Sequence, residues 1–231
     1  MKPHDFQLDR HHRVGLFGGT FNPIHRGHLK VALDVRQRLD LDVVYFIPSA
    51  LPPHKRTGKL APAQDRLEMV RLALNHQAGL KACSLELERE GPSYSIDTIR
   101  LIKQSLPEAH QLYFIVGLDA FLEIHTWRAF DHLFEETALA VMSRPGSGLW
   151  TQATSKEVLA YIQQYIAPDY TLTADGRMLV HPHKQNVYLL SVTPVDISSS
   201  HIRTRIQRGE PIDEWVAPQV VRYIQQKGLY Q

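Results

Sequence analysis

The chain is 231 residues long, 43% hydrophobic and 22% charged, the make-up of an ordinary soluble globular protein with one sizeable core. Its 26 basic and 24 acidic residues leave a formal charge of +2. Lys and Arg are scattered, so no nucleic-acid groove is indicated, and no apolar run reaches the roughly 18 residues of a membrane span.

Residues 1–12, MKPHDFQLDRHH, have a basic start but no apolar centre. They read as a short extension rather than a secretory signal, with 13–231 forming one domain. Val14 to Phe17 is a short apolar run ending in Gly18-Gly19, as a buried strand entering a tight turn would be. From about Gly27, Leu29, Ala32 and Leu33 recur at helical spacing until about Asp40. Val43 to Ile47 is a second strand, closed by Pro48. Leu67, Val70 and Leu74 mark the next helix, and Cys83, Leu85 and Leu87 alternate as in a strand. Ile99, Ile102 and Leu106 give a helix, Leu112 to Val116 a strand, and Ala138 to Met142 another. Residues 147–186 are irregular and carry no motif; Val158, Ile162, Tyr165 and Ile166 suggest one helix there and the remainder reads as loop. Val187 to Val192 restores a strand, Ser198 to Arg208 is a helix opening with a serine cap, and a last helix through Val216, Val220, Tyr223 and Ile224 stops at Gly228.

Strands alternating with helices imply crossover connections and a doubly wound parallel sheet, a Rossmann-like α/β architecture, here with a small C-terminal helical part. In such a sheet the ligand lies beyond the carboxyl ends of the strands, where strand order reverses. The loops after Phe17, Ile47 and Val116 should therefore converge on one crevice. The lone cysteine, Cys83, excludes an intrachain disulfide and a Cys-x-x-Cys metal site, and fits a reducing cytoplasm.

The segment richest in chemistry is Gly18-Gly19-Thr20-Phe21-Asn22-Pro23-Ile24-His25-Arg26-Gly27-His28. Glycines after a strand let the backbone approach a phosphate, and a following helix N-terminus favours an anion. The glycine spacing matches neither the dinucleotide fingerprint nor a Walker A loop. Instead, two imidazoles three residues apart stand at the first turn of a helix, on nearly one face. Alone, such a pair on a helix is more often structural; behind a strand-Gly-Gly turn it favours a phosphate. Zinc is disfavoured because no third ligand stands at a suitable spacing, and His181-Pro182-His183 and His11-His12 lie in loops without partners.

This stretch resembles the His-x-Gly-His signature of the nucleotidyltransferase superfamily. Within it, the stretch resembles bacterial nicotinate mononucleotide adenylyltransferases, whose usual form is GGTFDPxHxGH. Asn22 departs from the usual aspartate, at a position that shapes the turn, a task asparagine also suits. Pro52-Pro53-His54-Lys55 resembles that family's loop facing the triphosphate, and Gly117-Leu118-Asp119 its segment near the nucleotide ribose. Ile197-Ser198-Ser199-Ser200-His201-Ile202-Arg203 resembles its second signature, ISxxxIR. Gly91 to Thr98 matches its GxxYxxxT, Trp127 stands where it carries a tryptophan that stacks on the nicotinate ring, and Arg144-Pro145-Gly146 matches its RPG.

The resemblance implies transfer of an adenylyl group from ATP to nicotinate mononucleotide, giving the dinucleotide precursor of NAD, in the cytoplasm. It implies that His25, His28, Lys55 and Arg203 carry the chemistry, and that Gly18, Gly19, Thr20, Phe21, Ile197, Ser198 and Ser200 complete the ATP site. Thr98, Gly117, Asp119, Trp127 and Arg144 would hold the mononucleotide. Mg2+ would enter with ATP rather than on protein side chains. A homo-oligomer is allowed, while nucleic-acid and membrane partners are not expected. Related transferases for phosphopantetheine or glycerol phosphate, nicotinamide mononucleotide as the preferred substrate, and a catalytically silent nucleotide-sensing or RNA-binding module are the competing readings.

Overall fold

The computed structural model describes residues 12–51, 60–107, 110–143, 150–193 and 196–231. Strands β1 (Arg13–Gly19), β2 (Val43–Pro48), β3 (Leu80–Ala82), β4 (Gln111–Gly117), β5 (Ala138–Met142), β6 (Thr171–Leu172), β7 (Met178–Val180) and β8 (Val187–Leu190) form one sheet, in the order β3-β2-β1-β4-β5-β8-β7-β6. From β3 to β8 every pairing is parallel; β7 then pairs antiparallel with both β8 and β6. The chain moves outward from β1 in one direction through β2 and β3, then returns to place β4 on the other side of β1. The reversal of strand order therefore falls between β1 and β4, and a crevice opens above their carboxyl ends.

Helices α1 (Arg26–Arg38), α2 (Ala63–Leu74), α3 (Ser95–Gln104), α4 (Leu118–Phe121), α5 (Phe130–Glu136), α6 (Gln152–Tyr165), α7 (Ser199–Gln207) and α8 (Pro218–Lys227) complete the described elements, with a short 3-10 turn at Ile124–Thr126. The sheet is buried on both faces, so its central strands read as unbroken apolar runs. Tyr113 and Ile115 of β4 pack with Ala32 and Val35 of α1, Met69 and Val70 of α2, and Val220 and Ile224 of α8. Leu112, Phe114 and Val116 of the same strand face the other layer, where Ile99, Ile102, Phe134, Val158 and Ile162 converge. No helix among the described residues is long and apolar enough to cross a membrane.

Two sequence expectations need correction. The strand expected at Cys83, Leu85 and Leu87 ends earlier, at Ala82. Cys83 N–H still reaches the Phe46 carbonyl at 2.9 Å, but Leu87 N–H then closes a turn on the Ser84 carbonyl at 2.7 Å. Cys83 and Leu85 are buried as a strand would bury them, so alternation mimicked a strand where the chain turns. The stretch expected as loop before Asn186 also contains the β6–β7 hairpin. Its turn carries Asp175-Gly176, with Gly176 at φ 69° and Asp175 Oδ1 accepting from the Thr173 hydroxyl at 2.6 Å. An Asp-Gly pair between short β-prone segments is a hairpin signal, outweighed here by strands of only two and three residues.

One buried charge organises the carboxyl edge of the sheet. Arg66, in the first turn of α2, is wholly buried. Its Nε donates to the Ala61 carbonyl at 3.0 Å, Nη1 to Thr20 at 2.8 Å and Nη2 to Ala50 at 3.2 Å. The guanidinium thus joins the loop after β1, the loop after β2 and the entry to α2. Replacing it with methionine would leave three loop carbonyls without donors, each costing about 1–3 kcal/mol. Arg66→Met is therefore expected to lose about 3 kcal/mol or more of unfolding free energy, read from urea denaturation; an unchanged midpoint would mean that water replaces the guanidinium.

Candidate active site

A cleft of about 570 Å³ lies above β1 and β4, lined by Thr20, Phe21, His25, Gly27, His28, Gly117, Ser143, Ile197, Ser198, Ser200 and Arg203 among others. It is the crevice that the strand order requires. Gly18 and Gly19 close β1 below it. Gly19 has a steric reason to be glycine, since a Cβ there would meet the Phe21 ring at 2.9 Å. Phe21 itself turns back through a left-handed conformation, φ 46°.

The two histidines are arranged as a stacked pair, ring centroids 3.7 Å apart and planes inclined by 29°. His25 is the N-cap of α1 and His28 is in its first turn. His28 Nδ1 accepts from the His25 backbone N–H at 3.2 Å, so the lone pair lies at Nδ1 and the neutral ring carries its proton on Nε2. Phe21 meets the His28 ring edge-on at 5.1 Å. His25 is only 8% exposed. Its Nδ1 is buried and faces the first turn of α1, where His25 and His28 form a capping box and a Cβ on Gly27 would approach Nδ1 to 3.0 Å. Beside the partial positive charge of a helix N-terminus, Nδ1 is the nitrogen to leave unprotonated, which again puts the proton on Nε2. Burial pushes the His25 pKa down to about 4. The pair therefore offers N–H donors from neutral rings.

The second helix N-terminus at the cleft belongs to α7. Ser198 caps it, its hydroxyl accepting from the His201 N–H at 3.1 Å. The resemblance gives Ser198 and Ser200 to the ATP site; in the structure the neighbouring serine hydroxyls also have partners within the protein. Ser199 Oγ donates to the Pro23 carbonyl at 2.9 Å, and Ser200 Oγ accepts from Arg203 Nη2 at 3.1 Å. Arg203 Nη1 donates to the Asn22 carbonyl at 2.7 Å. These contacts bind α7 to the first loop, so the ISxxxIR and HxGH segments form one surface. Ile197 packs at the same place, 3.3 Å from where a Gly27 Cβ would stand.

Residues expected around the mononucleotide divide in three ways. Gly117 lines the cleft, and Asp119 stands exposed in the first turn of α4 beside it. Trp127 closes the 3-10 turn and packs edge-on against Phe114, centroids 6.3 Å apart. Thr98 is 3% exposed, and its hydroxyl donates to Glu86 Oε1 at 2.7 Å and toward the Tyr94 carbonyl at 3.3 Å. Its hydroxyl is thus committed to Glu86 within the protein. Lys55 and Arg144 lie outside the described residues. Glu86, whose carboxyl is pushed up by burial, and Arg66 are contributors the sequence reading missed. A signal existed for Arg66, which stands at helical spacing from Met69, Val70 and Ala73 on the buried stripe.

Among the described residues, no group of three or more His, Cys, Asp or Glu side chains is placed to hold a metal ion. The His25 and His28 rings and the Arg203 guanidinium at the cleft suit phosphate oxygens better than a hard cation.

The sequence pattern of the cytidylyltransferase-like family matches residues 16–205. Proteins named "Probable nicotinate-nucleotide adenylyltransferase" from Desulfatibacillum aliphaticivorans and Citrifermentans bemidjiense are 38% and 42% identical to the chain. Each alignment covers 94% of this chain, with 99% and 98% of the relative. The fold is similar to that of Plasmodium falciparum nicotinic acid mononucleotide adenylyltransferase complexed with NaAD, with TM-score 0.70 and 19% identity over 95% of this chain and 98% of that one.

The depressed His25 pKa has a consequence for stability. An unfolded chain protonates this imidazole near pH 6.5, whereas the folded protein does so only near 4. The unfolded state binds more protons in that window, so stability falls as pH drops from about 6.5 to about 4 and this contribution levels off below. His25→Gln is expected to flatten the dependence of urea midpoint on pH in that window; a slope equal to wild type would contradict the burial of a neutral ring.

Proposed function

The chain belongs to the cytidylyltransferase-like family, among its nicotinate-nucleotide adenylyltransferases, and on that footing we propose that it joins the adenylyl group of ATP to nicotinate mononucleotide in NAD biosynthesis. The products are nicotinate adenine dinucleotide and pyrophosphate. A phosphate oxygen of the mononucleotide attacks the α-phosphorus of ATP; the new O–P bond forms as the bond to the β-phosphate oxygen breaks. That nucleophile is already an anion at neutral pH, so no general base is needed. What the protein supplies is in-line placement of two polyanions and stabilisation of charge on the α-phosphate and the departing pyrophosphate.

The observation that carries this reading is the stacked His25–His28 pair at the cleft, with each proton assigned to Nε2. The two Nε2–H groups donate to α-phosphate oxygens. Neutral donors give direction without the desolvation cost of buried cations. Arg203, Lys55 and the N-terminus of α7 hold the β- and γ-phosphates. Gly18, Gly19, Thr20 and Phe21 bring backbone close to the nucleotide, with Ile197, Ser198 and Ser200 opposite. Mg2+ would enter with ATP rather than on protein side chains and would neutralise part of the triphosphate charge. On the mononucleotide side, Gly117 and Asp119 meet the nucleotide ribose and Trp127 stacks on the pyridine ring. With the Thr98 hydroxyl committed to Glu86, the nicotinate carboxylate is left to backbone N–H groups and Arg144.

Mixing the protein with Mg2+, ATP and nicotinate mononucleotide is expected to release pyrophosphate, with kcat/KM lower when nicotinamide mononucleotide is offered. Absence of release with tight ATP binding would indicate a sensor instead. His28→Ala and His25→Ala should each lose about 10²–10³ in single-turnover rate while remaining folded; near-normal rates would remove the histidines from the reaction. Trp127→Ala is expected to raise KM for the mononucleotide several-fold while leaving kcat close to wild type, and an unchanged KM would exclude the stacking role.

A further inference from the structure

The segment after α8 sends a side chain to the rim of the cleft that the reading above does not use. Tyr230 is 8% exposed and does not itself line the cleft. Its hydroxyl donates to Asn22 Oδ1 at 2.8 Å, and the same oxygen accepts from the Ala61 N–H at 3.1 Å. The backbone carbonyl of Asn22 in turn accepts from Arg203 Nη1 at 2.7 Å. One residue of the first loop is therefore gripped by its side chain and grips the arginine through its carbonyl.

The backbone supports a specific role over simple packing. Tyr230 has φ 68° and Phe21, next to Asn22, has φ 46°. Aromatic side chains adopt the left-handed region only where surrounding interactions hold them there. At Tyr230 that conformation delivers the hydroxyl to a buried oxygen. Burial also raises the phenol's pKa, so the group remains a donor throughout the working pH range.

We propose that Tyr230 is a positioning residue for adenylyl transfer: its hydroxyl fixes Asn22, and Asn22 aims the Arg203 guanidinium at the β- and γ-phosphates of ATP. The proposal rests on the reading of Arg203 as a phosphate ligand. Ala61 N–H supports the same oxygen, and Arg66 Nε holds the Ala61 carbonyl. Arg203 is thus connected, through Asn22 and Ala61, to the buried guanidinium that binds the loops together.

The test uses the full chain and steady-state kinetics well below the unfolding temperature. Tyr230→Phe keeps the ring and removes one hydrogen bond. It is expected to lower kcat on the order of fivefold and to raise KM for ATP, as loss of about one hydrogen bond's worth of stabilisation implies. KM for nicotinate mononucleotide should not change. Because Tyr230 acts through Arg203, the same substitution placed in an Arg203→Ala background should change kcat no further. Unaltered kcat and ATP KM in Tyr230→Phe, beside a clear Arg203→Ala defect, would overturn the latch and leave the phosphate role of Arg203 standing. Full additivity of the two substitutions, or a Tyr230→Phe chain that does not fold, would also overturn it. A silent Arg203→Ala would instead remove Arg203 from the phosphate site, and the latch with it.

Discussion

A guanidinium buried without water must place its N–H groups on acceptors, and the carbonyls of loops leaving a parallel sheet have no strand partner to take them. Arg66 resolves both demands at once by donating to Ala61, Thr20 and Ala50. Glu86, also buried, attracts it electrostatically; burial pushes the Glu86 carboxyl up and lowers the Arg66 pKa. The loops at the mouth of the crevice are consequently held by a charge that cannot leave without orphaning them. A site that works by aiming dipoles at a phosphate needs such stiffness, because donors that reorganise during the reaction lose most of their effect.

Among the described residues, two helix N-termini stand at the cleft beyond that rim, from α1 and α7, together with the His25 and His28 rings and Arg203. The histidine tautomers follow from local backbone chemistry: a peptide N–H occupies Nδ1 of His28, and the helix start faces Nδ1 of His25. Glycine at position 27 is what lets the His25 ring lie so close to its helix. Arg203 is prevented from folding away by two contacts on opposite sides, the Asn22 carbonyl and the Ser200 hydroxyl. Of the serine hydroxyls, Ser199 binds α7 to the first loop, while Ser198 caps the helix and Ser200 holds Arg203.

Much of this was legible in the sequence because it rests on local pattern. The unbroken apolar runs of β1, β2, β4 and β5 announce strands buried on both faces, and Ser198 announces its cap. The alternation of strands and helices predicts a switch point, and β1–β4 supplies it. What was not legible depends on contacts distant in sequence. Nothing near Thr98 reveals that Glu86 takes its hydroxyl, and nothing near Asn22 reveals a partner 208 residues away at Tyr230. The misplaced third strand has a different cause: Cys83 and Leu85 alternate because both reach the core, and a turn can satisfy that as well as a strand.

Asn22 shows how a departure from the usual pattern can be tolerated at such a site. Its Oδ1 receives two donors, the Ala61 N–H and the Tyr230 hydroxyl. An aspartate oxygen would receive the same two, so the acceptor role does not distinguish amide from carboxylate. Charge does. The side chain is 7% exposed, and a carboxylate there would incur a desolvation cost offset only in part by nearby Arg66 and Arg203. The amide keeps both hydrogen bonds without placing a charge beside the Arg203 guanidinium that its carbonyl holds.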